Sequence, residues 1–472
     1  MNSSQAGSPQ RFVDTHGQLP PMWPRRTIFF ANLLSLFFGN ADQTRVLADE
    51  IGELDSYSNR LIPILNLLFA GPGNLLVVER EPDPDLCRYL REDLGLALPE
   101  ICVLAHQDYL QLGRQLEQNP EASLQELLPG GHALAAAADR DDPGWLDGYV
   151  TDDILPRIAE RMECPTISSM QASQAGNNKL QLHQFLTEQG LPTVATELAE
   201  GPDDLARCAA RLQQQGYLAA VVRSQVGASG VGMLKLHDLS QPDQFPAVPE
   251  YFFHEGPCLV QGWLSPEVLG ISQIRSPSTQ LFLDEDQVHA FDTTEQILSG
   301  HHVHEGNESP PPYLKEQPEL RAETMRQAAL VGGWLHETGY RGTASIDWLV
   351  VQRESHAESD VYVCEINARV TGATYPSLLA KHFHPSGAWL LRNLRLSRPV
   401  TAKTLLNIFA SRNHLFQQGR RAGVLPLNFN FGKDGLVHKG QFICVGEDTA
   451  QCHHFLTLAE QDLPGGWKAD RD

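Results

Sequence analysis

Two neighbouring stretches limit what this chain can become. "GTASIDWLVV", Gly342 to Val351, and "VYVCEIN", Val361 to Asn367, are dense in β-branched and aromatic residues and read as central strands. Yet the first carries an acid, Asp347, and the second runs into Glu365, Asn367 and Arg369, each two residues apart. Alternate residues of a strand share a face, so a carboxylate, an amide and a guanidinium crowd one side of an otherwise apolar element. If the two strands form a hairpin centred near His356, Asp347 lies opposite Glu365, with Cβ atoms about 5 Å apart. Two acids that close repel unless something positive sits between them. A Mg²⁺ ion suits hard oxygen donors, so Asp347, Glu365 and Asn367 are the candidate metal ligands. The competing reading is a solvated strand face with ordinary surface acids.

Upstream, "SQVGASGVG", Ser224 to Gly232, is a glycine-rich turn between two strands. Gly227, Ser229 and Gly230 lie where backbone N–H groups can approach a phosphate. The turn lacks the Gly-Lys-Ser/Thr of a P-loop, and no GxGxxG opens any helix. Arg223 before the turn and Lys179 at the head of "KLQLHQFLTEQG" are candidate phosphate binders, each of which also reads singly as a surface charge. "CLVQGWLSPEVLG", Cys258 to Gly270, is an apolar strand breaking into a polar turn. There Gln261 can donate and accept, as an adenine edge requires, and Glu267 can accept from ribose hydroxyls; the plainer reading is a strand end with a capping turn. "HHVHEGNES", His301 to Ser309, lacks the fixed spacing of a metal site and reads as a mobile loop over a pocket. No GxSxG nucleophile elbow occurs.

Around these motifs the chain reads as α/β. "TIFFANL", "GNLLVVE" and "EICVLA" are continuous apolar runs, as in parallel strands. "YSNRLIPILNLLFA" and "DPDLCRYLREDLGL" show helical periodicity, the first with Leu61, Ile64, Leu65 and Leu68 on one side. "GVLPLNFNFGKDGLVHKGQFICVG" is a hairpin about Gly432–Gly435. The expected organisation is a loose tail over 1–24, an α/β domain over 25–160, a two-lobed region over 161–385 and a small α+β domain over 386–472. A net charge of −22 argues against nucleic acid and against docking on an acidic protein surface. The apolar runs near the N-terminus are interrupted by Asn32, Ser35 and Pro63, so no membrane span or signal sequence is expected. Eight scattered cysteines without CxxC fit a reduced, cytoplasmic protein.

The order Lys179, Arg223 with its glycine turn, the Gln261–Leu264 turn, Asp347, then Glu365-x-Asn367-x-Arg369 resembles the ATP-grasp superfamily over about 160–385. "VRSQVGASGVGM", "VQGWLSPE" and "GYRGTASIDWLV" resemble the phosphate loop, adenine hinge and metal strand of D-alanine–D-alanine ligase. The resemblance implies a preATP-grasp α/β domain followed by the two-lobed ATP-grasp fold, with ATP and Mg²⁺ bound between the lobes. It implies that Lys179 and Arg223 touch phosphates, that groups near Trp263 and Leu264 hold adenine and that Glu267 holds ribose. "EINARVTGATYP" and "GVLPLNFNFG" are further similar to peptide ligases of the pheganomycin type, implying ATP-dependent joining of an amino acid carboxylate to an amine of an amino acid or peptide. Three departures bear on this. Arg223 stands where the family has lysine, Gln261 where it has glutamate, and Ser345 where D-alanine–D-alanine ligase has arginine, so that Arg369 or Arg275 would supply the catalytic guanidinium. The alternatives are an ATP-grasp kinase or carboxylase, a ligase served by a carrier protein, and a catalytically silent nucleotide-binding module. Assembly is open between monomer and homodimer.

Overall fold

The computed structural model describes residues 11–51, 56–71, 73–265, 270–298, 304–354 and 359–469. The continuous apolar runs become a parallel four-stranded sheet in the order Glu100–Val103, Leu75–Val78, Thr27–Phe30, Trp145–Gly148. Its side chains alternate between two cores: Ile28, Phe30, Leu75 and Val77 face one, while Phe29, Leu76 and Val78 face the other. Burial on both faces explains why these strands carry no polar alternation.

A second sheet of four antiparallel strands follows, in the order Thr196–Ala199, Cys258–Gly262, Ala220–Ala228, Val231–Leu236. The helix Leu205–Gln214 covers it with Leu205, Cys208, Ala209 and Leu212 packed on Val222 and Val260. Beside it, helix Lys179–Glu188 is started by Asn178, whose side chain accepts from the N–H groups of Leu180 and Gln181 at 2.9 and 3.0 Å. This cap places Lys179 at the helix's first position. The third sheet is 11-stranded among the described residues and mostly antiparallel. Gly342–Arg353 runs within it, paired to Pro277–Leu283 and to Ser359–Asn367, and helix Pro318–Glu337 packs against it through Ala328, Val331 and Leu335.

Four expectations change. Pro63 lacks an N–H and cannot continue a helix through its own position, so 57–70 forms a 3₁₀ turn at Asn59–Leu61 and one α-turn at Leu65–Leu68. The tail expected through residue 24 is ordered from Phe12: Phe12–Asp14 pairs in parallel with Val288–Ala290, and Trp23 is buried against Phe69 and Phe282. The segment read as a mobile loop is a strand over His304–Ser309, with its backbone hydrogen-bonded to Ala388–Val400. Gly306 permits that approach, since a Cβ there would stand 2.0 Å from the Leu391 carbonyl oxygen; residues 299–303 lie outside the described residues. Finally, the strands Ala388–Val400, Val437–Gly446 and Gly423–Phe431 extend the same large sheet rather than building a separate one.

The glycine turn is a two-residue hairpin. Ser229 and Gly230 both have positive φ, 52° and 85°, the geometry whose twist matches the flanking strands. Gly232, at φ 80°, closes against Ser224 Oγ and Gln43. Gln43, on helix Ala41–Ile51 of the first domain, donates to Ser224 Oγ at 3.0 Å and to the Val226 carbonyl at 3.1 Å. A Cβ at position 232 would fall 2.1 Å from Ser224 Oγ and 2.7 Å from Gln43 Nε2. Gly232→Ala is therefore expected to lower stability in urea denaturation by about 1–3 kcal/mol; an unchanged midpoint would show that this turn carries no such constraint.

Candidate active site

The hairpin register is the anticipated one: Asp347 pairs with Glu365 and Ser345 with Asn367. Between Asp347 and Trp348 the register slips by one, because Trp348 pairs with Val363 and leaves Cys364 as the extra residue of a bulge. The bulge reverses the alternation. Val361 and Val363 before it, and Ile366 after it, all face the core beneath helix Pro318–Glu337, so Glu365 and Asn367 emerge on the opposite face beside Asp347. It also takes the Cys364 carbonyl out of the ladder, where it accepts from Arg223 Nη1 at 3.2 Å.

Asn367 Nδ2 donates to Asp347 Oδ2 at 3.0 Å. Glu365 lies between two cations: Lys179 Nζ is 3.5 Å from Oε1, and Arg223 binds Oε2 through Nη2. Lys179 also donates to the Gly227 carbonyl at 3.3 Å, and Arg369 donates to the Asn177 side-chain carbonyl. Lys179 and Arg223 are each only 8% exposed. Burial pulls the Lys179 ammonium down to about 8, with Glu365 acting against that shift. Burial, seconded by the Glu365 charge, pushes the Asp347 carboxyl up to about 6. Burial would raise Glu365 as well, but Lys179, Arg223 and Arg369 together outweigh it and hold Glu365 below its ordinary value.

These groups line one cavity of about 450 Å³, which takes in Lys179, Arg223, Gly227, Ser229, Gly230, Asp347, Glu365, Asn367 and Arg369. The remaining candidates are not among its walls. Gln261 stands behind Arg223, accepting from it at 3.1 Å and donating to Thr196 Oγ1 at 3.1 Å. Lys235 caps the Trp263 ring at 4.0 Å, and Leu264 is buried with Ile271 and Val351. Arg275 stacks over Tyr313 at 3.9 Å and donates to Gln273 at 3.0 Å. Glu267 lies outside the described residues. Sequence reasoning missed another part of the wall: Tyr57, Arg60 and Tyr149 from the first domain, and Tyr375, Asn393 and Gln441 from the C-terminal third. Tyr375 lies in the quoted "EINARVTGATYP" stretch but is given no role there, and no local motif marks the other five, because only the tertiary fold brings them together.

With four cations, Arg60, Lys179, Arg223 and Arg369, and three carboxylates, Glu50, Asp347 and Glu365, the wall carries a formal charge of +1 when all are ionised, suited to a phosphorylated ligand. Among the described residues no group of three or more His, Cys, Asp or Glu could hold a metal ion. Two carboxylates and an amide fit a magnesium ion that completes its shell with phosphate oxygens and water.

Solved structures define the class by fold. The biotin carboxylase of Campylobacter jejuni, in a complex with β-γ-ATP, aligns over 94% of this chain and 92% of its own, with a TM-score of 0.54 at 13% identity. The biotin carboxylase domain of Hydrogenobacter thermophilus 2-oxoglutarate carboxylase, with MgADP, aligns over 94% and 92%, with a TM-score of 0.53 at 11% identity. The N5-carboxyaminoimidazole ribonucleotide synthetase purK, as its ADP complex, aligns over 93% and 97%, with a TM-score of 0.51 at 12% identity. The chain shares the fold of these enzymes, the ATP-grasp fold. In sequence it is 28% identical over 203 residues to the [Butirosin acyl-carrier protein]–L-glutamate ligase of Niallia circulans, a match covering 42% of this chain and 44% of that enzyme. The matched region thus spans less than half the length of that curated relative. No family model matches the chain. No described helix is long and apolar enough to cross a membrane.

The Asp347 shift has a sign that can be measured. Its carboxyl titrates near 6 when folded and about 3.9 when unfolded, so the folded state loses stability as pH rises from about 4 to 6, and the penalty persists above. Asp347→Asn should therefore be more stable than wild type at pH 7.5, by on the order of 2 kcal/mol, and not at pH 4. Denaturant titrations without nucleotide or metal read this out; equal destabilisation at both pH values would refute the assignment.

Proposed function

We propose that the protein is an ATP-dependent carboxylate–amine ligase that joins an amino acid to the amine of an amino acid or peptide through an acyl phosphate, releasing ADP and phosphate. The observation that carries this reading is the convergence of Lys179, Arg223 and Arg369 with Asp347, Glu365 and Asn367 in one cavity of an ATP-grasp fold. In this reading the glycine turn and Lys179 hold the phosphates. An incoming phosphate would raise the depressed Lys179 back toward its ordinary value. Arg223 and Lys179 would exchange their contacts with Glu365 for phosphate oxygens, and Asp347, Glu365 and Asn367 would be the residues that hold a magnesium ion. The bound ion supplies charge neutralisation at the transferring phosphoryl group.

The chemistry follows from charge. A carboxylate is a poor acylating agent at neutral pH. Attack of one of its oxygens on the γ-phosphorus breaks the bond to the β-phosphate bridging oxygen and gives ADP and an acyl phosphate. A neutral amine then attacks the acyl carbon, phosphate departs, and the amine's extra proton passes to solvent. Arg369, with two parallel N–H donors, suits two oxygens of that phosphate at once. A second reading has its own support: similarity to a carrier-protein ligase makes delivery of one substrate on a carrier protein the alternative, against which the charge of −22 weighs if the carrier is acidic.

The test is an assay of nucleotide products and mass spectrometry with ATP, Mg²⁺ and pooled amino acids, with and without short peptides. ADP and phosphate in step with a new amide support the ligase; AMP and pyrophosphate, or a phosphorylated or carboxylated product without an amide, overturn it. Glu365→Gln is expected to cut turnover by about 10²-fold or more with the fold intact. Arg369→Lys should lose much of the rate while keeping ATP affinity, because lysine supplies charge without the fork. Wild-type turnover in Glu365→Gln at saturating Mg²⁺ would remove that carboxylate from the mechanism.

A further inference from the structure

The cavity has a second polar end. Beyond Arg369 it is walled by Thr371, Gly372 and Ala373, which lead into helix Thr374–Phe383, and then by Tyr375, Asn393, Gln441 and Arg60. The hydrogen bonds at this end fix its polarity. Gln441 Nε2 donates to Asn393 Oδ1 at 2.7 Å and to the Tyr375 hydroxyl oxygen at 3.0 Å. Arg60 Nη1 donates to the same hydroxyl at 3.3 Å, and its guanidinium lies 5.3 Å from the centroid of the Tyr375 ring. The Tyr375 oxygen therefore accepts twice, which leaves its own proton to be given elsewhere. With the Gln441 amide committed as donor, its Oε1 has no partner among the described residues, although the side chain is only 5% exposed. Native structures seldom leave such an atom unsatisfied, and because Gln441 lines the cavity, a ligand entering it can supply the missing donor.

We propose that Arg60, Tyr375 and Gln441 form the subsite for the amine substrate and recognise its free carboxylate together with an adjacent N–H. This inference rests on the ligase reading and names one of its substrates more closely. The carboxylate that reacts must lie by Asp347, Glu365 and Arg369, where a phosphoryl group can reach it, and it loses its charge on activation. The amine substrate keeps its own carboxylate throughout, so it is the partner that needs a permanent cation. Arg60, held by the Tyr375 ring and hydroxyl, offers that charge in a fixed orientation, and the Tyr375 O–H gives a second donor to the same anion. The start of helix Thr374–Phe383 adds a favourable partial charge beside it. Gln441 Oε1 then accepts from an N–H next to the carboxylate, as in an α-amino acid or the last amide of a peptide. Leu33, Leu36, Leu47 and Ile51 along the same cavity would take an apolar side chain.

The experiment compares two pools of amine substrates, the twenty L-amino acids with a free carboxylate and the same twenty as C-terminal amides. Wild type should couple the acids about a hundredfold faster than the amides, the scale of a lost charged hydrogen bond. Arg60→Met should lower coupling of the acids to the level of the amides while ATP affinity holds. Gln441→Glu, nearly isosteric, places a negative charge beside the substrate carboxylate and should shift preference toward the amides. Equal rates for acids and amides in wild type, or an undiminished preference in both variants, overturn the subsite. If neither pool yields an amide bond, the ligase reading fails, and the subsite is judged separately by calorimetric titration of both pools into the MgADP-bound protein. Heat from the acids alone, lost in Arg60→Met, sustains it; no difference between the pools overturns it.

Discussion

The Glu365 carboxylate, held between Lys179 and Arg223, is the interaction on which the candidate site depends. It joins three separate segments: the first turn of a helix, a strand of the smaller antiparallel sheet, and a strand of the large sheet. Taking such charges out of water is expensive unless they are paired and hydrogen-bonded, and here each cation has a second acceptor, the Gly227 carbonyl for Lys179 and the Cys364 carbonyl for Arg223. The arrangement stays reversible because it is not ideal. Lys179 is pulled down and Asp347 pushed up by the same burial, so the site gains from any ligand that brings anionic oxygens to the lysine and a cation to the aspartate.

That arrangement rests on one backbone irregularity. A regular strand from Val361 to Asn367 would place Val361, Val363, Glu365 and Asn367 on one face. The apolar pair would then face the charged cavity, or the acid and amide the core. The bulge at Cys364 separates the two pairs, sending the valines down under helix Pro318–Glu337 and the polar residues up into the cavity. The same slip releases the carbonyl that holds Arg223. Arginine at this position is thus more than a substitute for lysine: its fork reaches the Glu365 carboxylate, the Cys364 carbonyl and Gln261 at once, and a lysine could not span all three.

Two kinds of constraint meet in the cavity. The wall around Arg223, Asp347 and Glu365 comes from the second and third sheets, and fold neighbours named for different reactions share that architecture. The far wall comes from the first domain and from strands after residue 388, which lengthen the large sheet. A fold of this kind sets where a nucleotide can lie without choosing what it is used on. At the far wall, Arg60 and Gln441 both donate to the Tyr375 hydroxyl, contacts set by this chain's own packing.

The sequence by itself determined the hairpin register that opposes Asp347 to Glu365, the parallel sheet of the first domain, and the glycine turn beside Arg223. Each follows from local rules: period-two alternation, continuous apolar runs bounded by turn residues, and positive φ at Ser229 and Gly230. Only the tertiary structure decided the rest. It turned His304–Ser309 from an expected loop into a strand, because the unpaired edge of Ala388–Val400 offered its hydrogen bonds. It put Arg275 against Tyr313 rather than in the cavity, since both guanidiniums considered for the catalytic role have the same chemistry and only packing separates them. It also brought Arg60 to Tyr375 and Gln441, the first 315 residues away along the chain. Local preference extends over a few residues, whereas a cavity wall is fixed by which sheets and helices bury one another, and no stretch of sequence states that on its own.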